Sequence, residues 1–296
     1  MTVDLFYSDS FICTDTSIDT TNKAAAVHAS LMADPIPGVR VVAPSPLVTR
    51  EMIERVHSPE YTRAILTGEP RRLADDNGVC SWSPSFAESR LSATAGVVEA
   101  AVVAFESGGI SGSMSSGLHH AQRGQGRGYC TLNALVIAAE EVLERGAKCV
   151  LIIDLDAHGG GGTASLIEGR VGIEQIDVAV NAFDGYLSTD NSRYWMTGGA
   201  NYLAVVREAL ESVEDPDSID LILYNAGVDP HEDCLTGGAL GISSEMLRLR
   251  DEMVFAWARS HGVPVCFVFA GGYIGGRLTK SMLIALHRQT IRGGNC

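Results

Sequence analysis

Basic residues are scarce in this chain, because 22 lysines and arginines face 36 aspartates and glutamates among its 296 residues. The formal net charge at pH 7 is −14. A surface of that sign repels phosphate groups and anionic lipids. We therefore expect neither a nucleic-acid partner nor a membrane partner.

Long apolar runs are also missing. The longest stretches, such as residues 149–153 and 263–270, are far shorter than the roughly 20 residues that a membrane-spanning helix needs. The first residues read Met-Thr-Val-Asp-Leu-Phe, with no basic segment followed by an apolar one. Because such a start lacks the features of a secretory signal, we expect a cytoplasmic location.

The seven cysteines include no Cys-x-x-Cys pair and lie far apart along the chain. An odd and scattered set argues against a disulfide framework and against a zinc site built from thiolates. Cys149 and Cys266 lie inside apolar runs, which is typical of small buried residues.

Short β-rich apolar runs alternate with longer helical patterns along the whole chain. The runs that predict strands are residues 3–7, 149–155, 176–180, 220–224 and 263–270. The patterns that predict helices are residues 21–33, 85–106, 132–145, 201–211, 243–260 and 280–289. Strands that are apolar throughout are typical of parallel sheets covered on both faces. The alternation therefore predicts an α/β fold with a mostly parallel central sheet flanked by helices.

No proline-rich linker, composition shift or internal repeat divides the sequence. Hydrophobic residues make up 46% of the chain, which is enough to build one large core. We therefore expect a single domain that spans residues 1–296.

One predicted strand runs directly into acidic residues and a histidine. Because side chains alternate along an extended chain, Asp154, Asp156 and His158 point to the same side. Two neighbouring carboxylates are costly to bury unless they meet a cation or hydrogen-bond donors. Oxygen and nitrogen ligands of this kind suit a catalytic divalent metal, and a solvated turn is the alternative.

The strand at residues 220–224 ends in a similar way, with Asp229 shortly after it. In open α/β sheets, the loops at the carboxyl ends of strands build the ligand site. Asp229 is therefore a candidate third ligand. His231 follows a proline in the same loop, and we expect it to face solvent.

Two further polar segments are weaker signals. His119 and His120 are adjacent in a glycine-rich loop, and Tyr273 follows two glycines after the last predicted strand. Each pattern alone predicts little, because adjacent histidines and Gly-Gly-Tyr turns are common. Their occurrence together with two acid-bearing strand ends indicates one active site.

Taken together, these segments resemble the zinc-dependent histone deacetylase family, which includes bacterial acetylpolyamine amidohydrolases and shares its fold with arginases. The matching segments follow one order along the chain. They are Val-His-x-x-x-Tyr at 56–61, Gly-x-His-His-Ala at 117–121, Gly-Tyr-Cys-x-x-Asn at 128–133, Asp-x-Asp-x-His at 154–158, Ala-Gly-x-Asp at 226–229 and Gly-Gly-Tyr at 271–273. The resemblance covers most of the chain and implies an arginase/deacetylase-like fold.

The resemblance implies a hydrolase that removes an acyl group, with acetyl expected, from a small amine or a lysine side chain. It implies Asp156, His158 and Asp229 as ligands of Zn²⁺, and Fe²⁺ would tolerate the same ligands. It also implies that Gly128 and Tyr129 line the acyl channel. Members of the family often hold a structural K⁺ with backbone carbonyls, which here would lie around residues 154–158.

The same resemblance implies His119 and His120 as a catalytic pair, with Asp154 orienting His119 and Tyr273 donating to the oxyanion. Zinc polarises an amide carbonyl and lowers the pKa of a bound water. A neighbouring neutral histidine can accept that water's proton and later protonate the leaving amine. The sequence leaves open which histidine is the general base.

The chain departs from the family pattern at two places. Where the family commonly has an aspartate that orients the second histidine, this chain has Gly161, within four consecutive glycines at 159–162. We therefore expect His120 to lack a carboxylate partner and to act as the weaker acid–base group. The family's His-Pro-Glu-Arg-Pro-like N-terminal segment is also absent, and residues 20–25 read Thr-Thr-Asn-Lys-Ala-Ala instead.

Two other functions stay open from the sequence. An arginase-like ureohydrolase would use two manganese ions and needs further acids, where this chain has Gly160 and His231. A non-catalytic module that binds an acyl ligand would be consistent with glycine at position 161. The sequence determines neither the substrate, nor the metal in the cell, nor the oligomeric state, although the acidic charge favours cationic amines.

Overall fold

The computed structural model of the protein describes residues 2–13, 19–45, 48–115 and 118–295. For residues 19–21 it describes the backbone only. Gly117, the first residue of the predicted His-His segment, and Cys296 lie outside the described residues.

The central feature is an eight-stranded sheet in which each strand pairs in parallel with its neighbours. In chain order, the strands are β1 (Val3–Phe6), β2 (Val39–Val42), β3 (Ile110–Ser113), β4 (Val150–Asp154), β5 (Ile173–Ala179), β6 (Ser192–Met196), β7 (Leu221–Asn225) and β8 (Val265–Val268). Their order across the sheet is β2-β1-β3-β8-β7-β4-β5-β6.

Helices provide the crossover connections that parallel strands require. They are α1 (Asp19–Ala33), α2 (Arg50–Val56), α3 (Pro59–Thr67), α4 (Arg71–Ala74), α5 (Pro84–Ser107), α6 (Ala134–Glu144), α7 (Gly161–Ile167), α8 (Tyr202–Glu211), α9 (Ser244–His261) and α10 (Lys280–Gly294). None of the helices that the structure describes combines the length and the apolar character needed to cross a bilayer.

Both faces of the sheet are buried, and β4 shows how. Leu151 and Ile153 pack into one hydrophobic cluster, whereas Val150 and Ile152 pack into the cluster on the opposite face. A strand covered on both faces reads as a continuous apolar run, which is why its sequence predicted a parallel sheet. The predicted α/β fold with helices around a parallel sheet is confirmed.

The five predicted strands correspond to β1, β4, β5, β7 and β8, and the six predicted helices to α1, α5, α6, α8, α9 and α10. The sequence did not predict β2, β3, β6 or the four short helices α2, α3, α4 and α7. Helix α7 begins at Gly161, within the four consecutive glycines at 159–162. The domain boundaries stay a prediction.

The order of the strands determines where a ligand site can form. Strands β8, β7, β4 and β5 are consecutive neighbours near the middle of the sheet. Because they are parallel, their carboxyl ends meet at one edge, and the loops that follow them converge there.

Candidate functional site

The carboxyl ends of β4 and β7 bring the three predicted metal ligands together. Asp156 and His158 follow β4, Asp229 follows β7, and all three side chains are buried. His158 Nδ1 lies 3.1 Å from Asp156 Oδ1 and 3.3 Å from Asp229 Oδ2. One ligand atom from each residue lies within 4.8 Å of the others, and no second group of this kind occurs in the described part of the chain.

Backbone donors hold the two carboxylates of this group. The N–H of Gly271 donates to Asp156 Oδ2 over 2.7 Å, and the N–H of Ala157 donates to Asp229 Oδ1 over 3.0 Å. A Cβ atom at Gly271 would collide with both carboxylates, so only glycine permits this approach. Asp229 Oδ2 is buried and accepts no hydrogen bond, which leaves an acceptor available to a cation.

The charges of this group perturb one another. Burial, together with the neighbouring charge of Asp156, raises the pKa of Asp229. Burial opposes the charged form of His158, but Asp156 and Asp229 outweigh it and raise the pKa of that imidazole to about 10. In the protein alone, a proton on His158 balances the two acids, and a divalent cation could take over that role.

His119 and Asp154 come together as the sequence predicted. His119 Nδ1 lies 2.8 Å from Asp154 Oδ2, and His119 Nε2 lies 3.6 Å from Asp156 Oδ1. Asp154 Oδ1 accepts from Asn225 Nδ2 over 2.8 Å, which fixes the carboxylate from β7. Burial opposes the charge on His119, but Asp154 and Asp156 outweigh it and raise its pKa to about 10.

The prediction that His120 lacks a carboxylate partner is wrong. His120 Nδ1 lies 2.9 Å from Asp184 Oδ2, and both side chains are buried. Asp184 belongs to the loop after β5 and is 64 residues away in sequence. It takes the space beside Gly161, where a Cβ atom would lie 2.5 Å from the carbonyl oxygen of Asp184.

The two imidazoles lie against each other, with ring centroids 3.9 Å apart. Burial, followed by the charge of His119, lowers the pKa of His120 to about 4. Of the two rings, His119 therefore carries a proton more readily and His120 is neutral at pH 7.

Buried hydrogen bonds hold the loop that carries both histidines. Asn133 caps α6 and donates to the carbonyl oxygens of His119 and Ala121 over 3.3 Å and 3.4 Å. His57 Nδ1 lies 2.8 Å from the carbonyl oxygen of Gln122, and His57 Nε2 accepts from the N–H of Asn133 over 3.0 Å. Asn133 and His57, which belong to the sequence motifs, thus position the two histidines by holding the backbone of their loop.

A cavity of about 540 Å³ extends from the histidines to the exposed side chain of Leu235. Phe183 lines it and meets the His120 ring edge-on, with centroids 5.0 Å apart. A smaller cavity of about 20 Å³ adjoins it. Gly128 and Tyr129, the residues predicted for the acyl channel, line both cavities. Two other residues do the same, namely His120 and Tyr273.

Four non-glycine residues in the described part of the chain have φ in the left-handed region, and all four adjoin the site. They are Leu118, Tyr129, Asp184 and Ala270, with φ of 54°, 67°, 56° and 48°. Such backbone is unfavourable for residues with a side chain and persists only where surrounding contacts hold it. The strain is concentrated where the histidines, the cavity wall and the turn after β8 are placed.

Sequence reasoning missed three residues of the site. Phe183 and Asp184 follow β5, and an acid–glycine pair just after a predicted strand was a signal that could have found them. Lys23 of α1 is buried, and its Nζ donates to the carbonyl oxygen of Ala270. Burial lowers the pKa of Lys23 to about 8.

His231 is buried, so the prediction that it faces solvent is wrong. Its Nε2 lies 2.9 Å from Ser244 Oγ, and its Nδ1 accepts from the N–H of Asp233 over 3.1 Å. Both ring nitrogens are therefore engaged in holding the loop after β7.

Known proteins with similar sequences agree with the site geometry described above. The sequence model of the histone deacetylase domain matches residues 18–185, more than half of the chain. The chain belongs to the histone deacetylase family. An uncharacterized protein of Picosynechococcus sp. is 31% identical over 258 residues, which cover 85% of each chain. Histone deacetylase 2 of Arabidopsis thaliana is 28% identical over 236 residues, which cover 74% of this chain and 60% of the plant protein.

Solved structures share the fold of this histone deacetylase family member. The HD domain of HDA15 superposes with a TM-score of 0.78 at 18% identity, over 99% of this chain and 90% of that one. An acetylpolyamine aminohydrolase from Burkholderia pseudomallei superposes with a TM-score of 0.79 at 16% identity, over 100% and 99%. The predicted arginase/deacetylase-like fold is therefore confirmed.

Proposed function

We propose that this member of the histone deacetylase family hydrolyses an N-acetyl bond on a small amine or on a lysine side chain. One observation carries the proposal: the buried group of Asp156, His158 and Asp229 lies beside two histidine–carboxylate pairs at the end of a cavity. Membership of a deacetylase family supports a hydrolase of linear amides.

One divalent metal ion, Zn²⁺ or Fe²⁺, fits the three-residue group. Two buried carboxylates and an imidazole supply oxygen and nitrogen donors. Asp229 Oδ2 accepts no hydrogen bond, although it lies 3.3 Å from His158 Nδ1 of the same group. Three protein donors leave room for a further ligand, as catalytic sites do. The ion supplies a Lewis acid that polarises the amide carbonyl and lowers the pKa of a water molecule.

The two histidines have different roles in the proposed reaction. Neutral His120, which lines both cavities, accepts a proton from the attacking water. His119 is held by Asp154 and favours the charged form, so it supports the negative charge that develops nearby. When the C–N bond breaks, the proton on His120 passes to the amine nitrogen and the acyl group leaves as a carboxylic acid. The acid then gives its remaining proton to the free amine, so that the products are a carboxylate and an ammonium ion.

Tyr273 is placed to stabilise the oxyanion. It lines both cavities, together with His120. Burial, followed by the charges of Asp229 and Asp156, raises its pKa well above the usual value. The phenol therefore keeps its proton and can donate it in a hydrogen bond.

The two cavities support an acetyl group on an amine that carries a carbon chain. A space of about 20 Å³ holds a group about as large as a water molecule or a methyl group. The larger cavity has no carboxylate in its described lining, and Phe183, Tyr129 and Leu235 give it apolar walls. A methylene chain fits such walls, while the net charge of −14 favours the approach of cationic amines.

The alternatives receive less support. A ureohydrolase needs acids for a second ion, and the described residues contain one three-residue ligand group. A non-catalytic binder was suggested by the missing acid at Gly161, but Asp184 fills that place. The K⁺ near residues 154–158 and the cytoplasmic location stay predictions.

The test is turnover by metal-reconstituted protein on acetylated polyamines, acetyl-lysine peptides and small acylated metabolites. We expect acetate release from at least one class, and none from an Asp229→Ala variant. Asp217→Asn, which changes an exposed acid, serves as the control and should behave as wild type. A folded, metal-loaded protein that binds acetylated ligands without releasing acetate would establish the binding module instead. Release of urea from a guanidino substrate would establish the ureohydrolase.

A further inference from the structure

We propose that Asp184 is the positioning residue of His120, and that it fixes this imidazole with the hydrogen on Nδ1 and a free lone pair on Nε2. The inference rests on the proposed function for its catalytic consequence. It assigns to the loop after β5 a task that the sequence pattern placed at position 161, where this chain has glycine.

His120 and Asp184 are joined by a buried hydrogen bond. His120 Nδ1 and Asp184 Oδ2 are 2.9 Å apart, and His120 and Asp184 are only 4% and 8% exposed. An ionised carboxylate can only accept, so the bonded nitrogen must carry the hydrogen. The neutral ring then has its acceptor at Nε2, the atom that can take a proton from water.

Asp184 is itself held by several backbone contacts. Its Oδ2 accepts from the N–H of Gly162 over 3.1 Å, and its carbonyl oxygen accepts from the N–H of Gly161 over 3.1 Å. Its φ of 56° is one of the left-handed values that border the site. A carboxylate fixed by backbone donors in a strained loop is set up to orient its partner.

Arg127 provides the third contact. Its Nη1 lies 3.3 Å from Asp184 Oδ1, and its guanidinium lies 5.3 Å from the ring centroid of Phe183. Asp184 Oδ1 and Oδ2 thus face an arginine and an imidazole respectively. Burial opposes the charged carboxylate, but His120 and Arg127 outweigh it and lower the pKa of Asp184.

The contacts of Gly161 show why position 161 has no carboxylate in this chain. A Cβ atom on Gly161 would lie 2.5 Å from the carbonyl oxygen of Asp184 and 3.0 Å from its Oδ1. A side chain at position 161 and the carboxylate of Asp184 therefore compete for one space. Gly161 is the residue that allows Asp184 to approach, and an aspartate added there would expel the existing partner.

The test compares Asp184→Asn with Asp190→Asn, a change to an exposed acid in the same inter-strand segment. An asparagine amide can donate to His120 Nδ1 and so favours the tautomer with the hydrogen on Nε2. We expect Asp184→Asn to lower kcat by about 10²-fold or more, with metal content and KM little changed. Asp190→Asn should match wild type.

Two further measurements distinguish a role of Asp184 in positioning His120 from a role in stabilising the fold. Loss of the carboxylate should lower the apparent pKa on the acidic limb of the kcat/KM profile, because an anion favours imidazolium. His119, Asp156 and His158 also face His120, and Arg127 faces Asp184; these groups are the same in both proteins. In ¹⁵N-histidine spectra, His120 Nε2 should change from an unprotonated to a protonated nitrogen in Asp184→Asn.

Unchanged kcat in a folded Asp184→Asn variant would overturn the assignment. So would a wild-type spectrum in which His120 carries its hydrogen on Nε2, and this result decides the matter even if the variant does not fold. If the wild type turns over no acylated substrate, the proposed function fails, whereas the spectra still establish or refute the tautomer that Asp184 imposes.

Discussion

At single positions, the site depends on buried side chains that hydrogen bonds hold in place. His57 is an example, because one ring nitrogen donates to the carbonyl oxygen of Gln122 and the other accepts from the N–H of Asn133. Burial lowers the pKa of His57 to about 4, and the nearby charges of Arg123 and Arg170 act in the same direction. The ring is therefore neutral in the folded protein at pH values where a free histidine would be charged.

His57 should make the stability of the protein pH-dependent. The unfolded chain binds a proton at this histidine below about pH 6.5, and the folded protein binds it only near pH 4, so stability falls as the pH drops. Between pH 7 and pH 5 we expect this one group to cost about 2 kcal/mol. Denaturant unfolding of wild type and His57→Gln at both pH values measures the effect. The variant should be less stable at pH 7 but lose less on acidification, and equal losses would contradict the prediction.

Tyr273 tests the chemistry at the same scale. Tyr273→Phe removes one hydrogen-bond donor and leaves the three-residue ligand group untouched. We expect kcat to fall by about 10²-fold or more with full metal content, because an oxyanion donor has that effect. Tyr7→Phe is the matched control, since its hydroxyl bonds to Asp9 and lines neither cavity. Equal kcat values for the two variants would make Tyr273 a turn residue only.

At the scale of elements, the strongly apolar strands could be predicted and the glycine-rich elements could not. Strand β3 reads Ile-Ser-Gly-Ser, which resembles a loop, yet it lies in the middle of the sheet. It is buried because Ser111 Oγ donates back to the carbonyl oxygen of Ala100 and because Gly112 leaves room for the ring of Phe267. These reasons lie in partners far along the chain, which no local pattern contains.

Gly112 gives a test of that account. A Cβ atom there would lie 2.5–2.7 Å from atoms of the Phe267 ring. A rigid, fully buried ring cannot move aside, so Gly112→Ala should lower the free energy of unfolding by about 1–3 kcal/mol. Gly109→Ala is the control, because the nearest atom at that position is the flexible Ser107 Oγ at 3.3 Å. Equal unfolding midpoints for the two variants would show that β3 is packed less tightly than described.

The residues of the site also differ in whether the sequence could predict their positions. Side chains just after the apolar strands β4, β7 and β8 could be placed at one edge of the sheet, because they follow the carboxyl ends of strands that the sequence predicts to be parallel. The partner of His120 could not, because Asp184 reaches it from a loop 64 residues away and is held in a left-handed conformation by contacts with Gly161 and Gly162. Local patterns identify which strand ends carry polar groups, but only the folded chain determines which of them meet.

At the scale of the whole molecule, the candidate metal site connects separate parts of the chain. Asp156 and His158 follow β4, Asp229 follows β7, and Gly271, which donates to Asp156, follows β8. A cation bound to this group joins segments that are otherwise linked through the sheet and through the hydrogen bonds from Gly271 and Ala157 to the two carboxylates. Binding to the folded state alone also stabilises a protein, by about 2.7 kcal/mol when the free ligand is at 100 times its Kd.

We therefore expect the protein to bind one divalent ion per chain and to gain stability from it. Zinc should raise the unfolding temperature of wild type and of Asp217→Asn, in which an exposed acid is changed. Asp229→Ala should bind little metal and show little shift in unfolding temperature, because it removes one of three donors and with it a buried oxygen that accepts no hydrogen bond. Elemental analysis and thermal unfolding with and without a chelator measure both quantities. Two ions per wild-type chain would contradict the single site and favour the ureohydrolase, whereas a full equivalent of zinc in Asp229→Ala would show that the ion binds elsewhere.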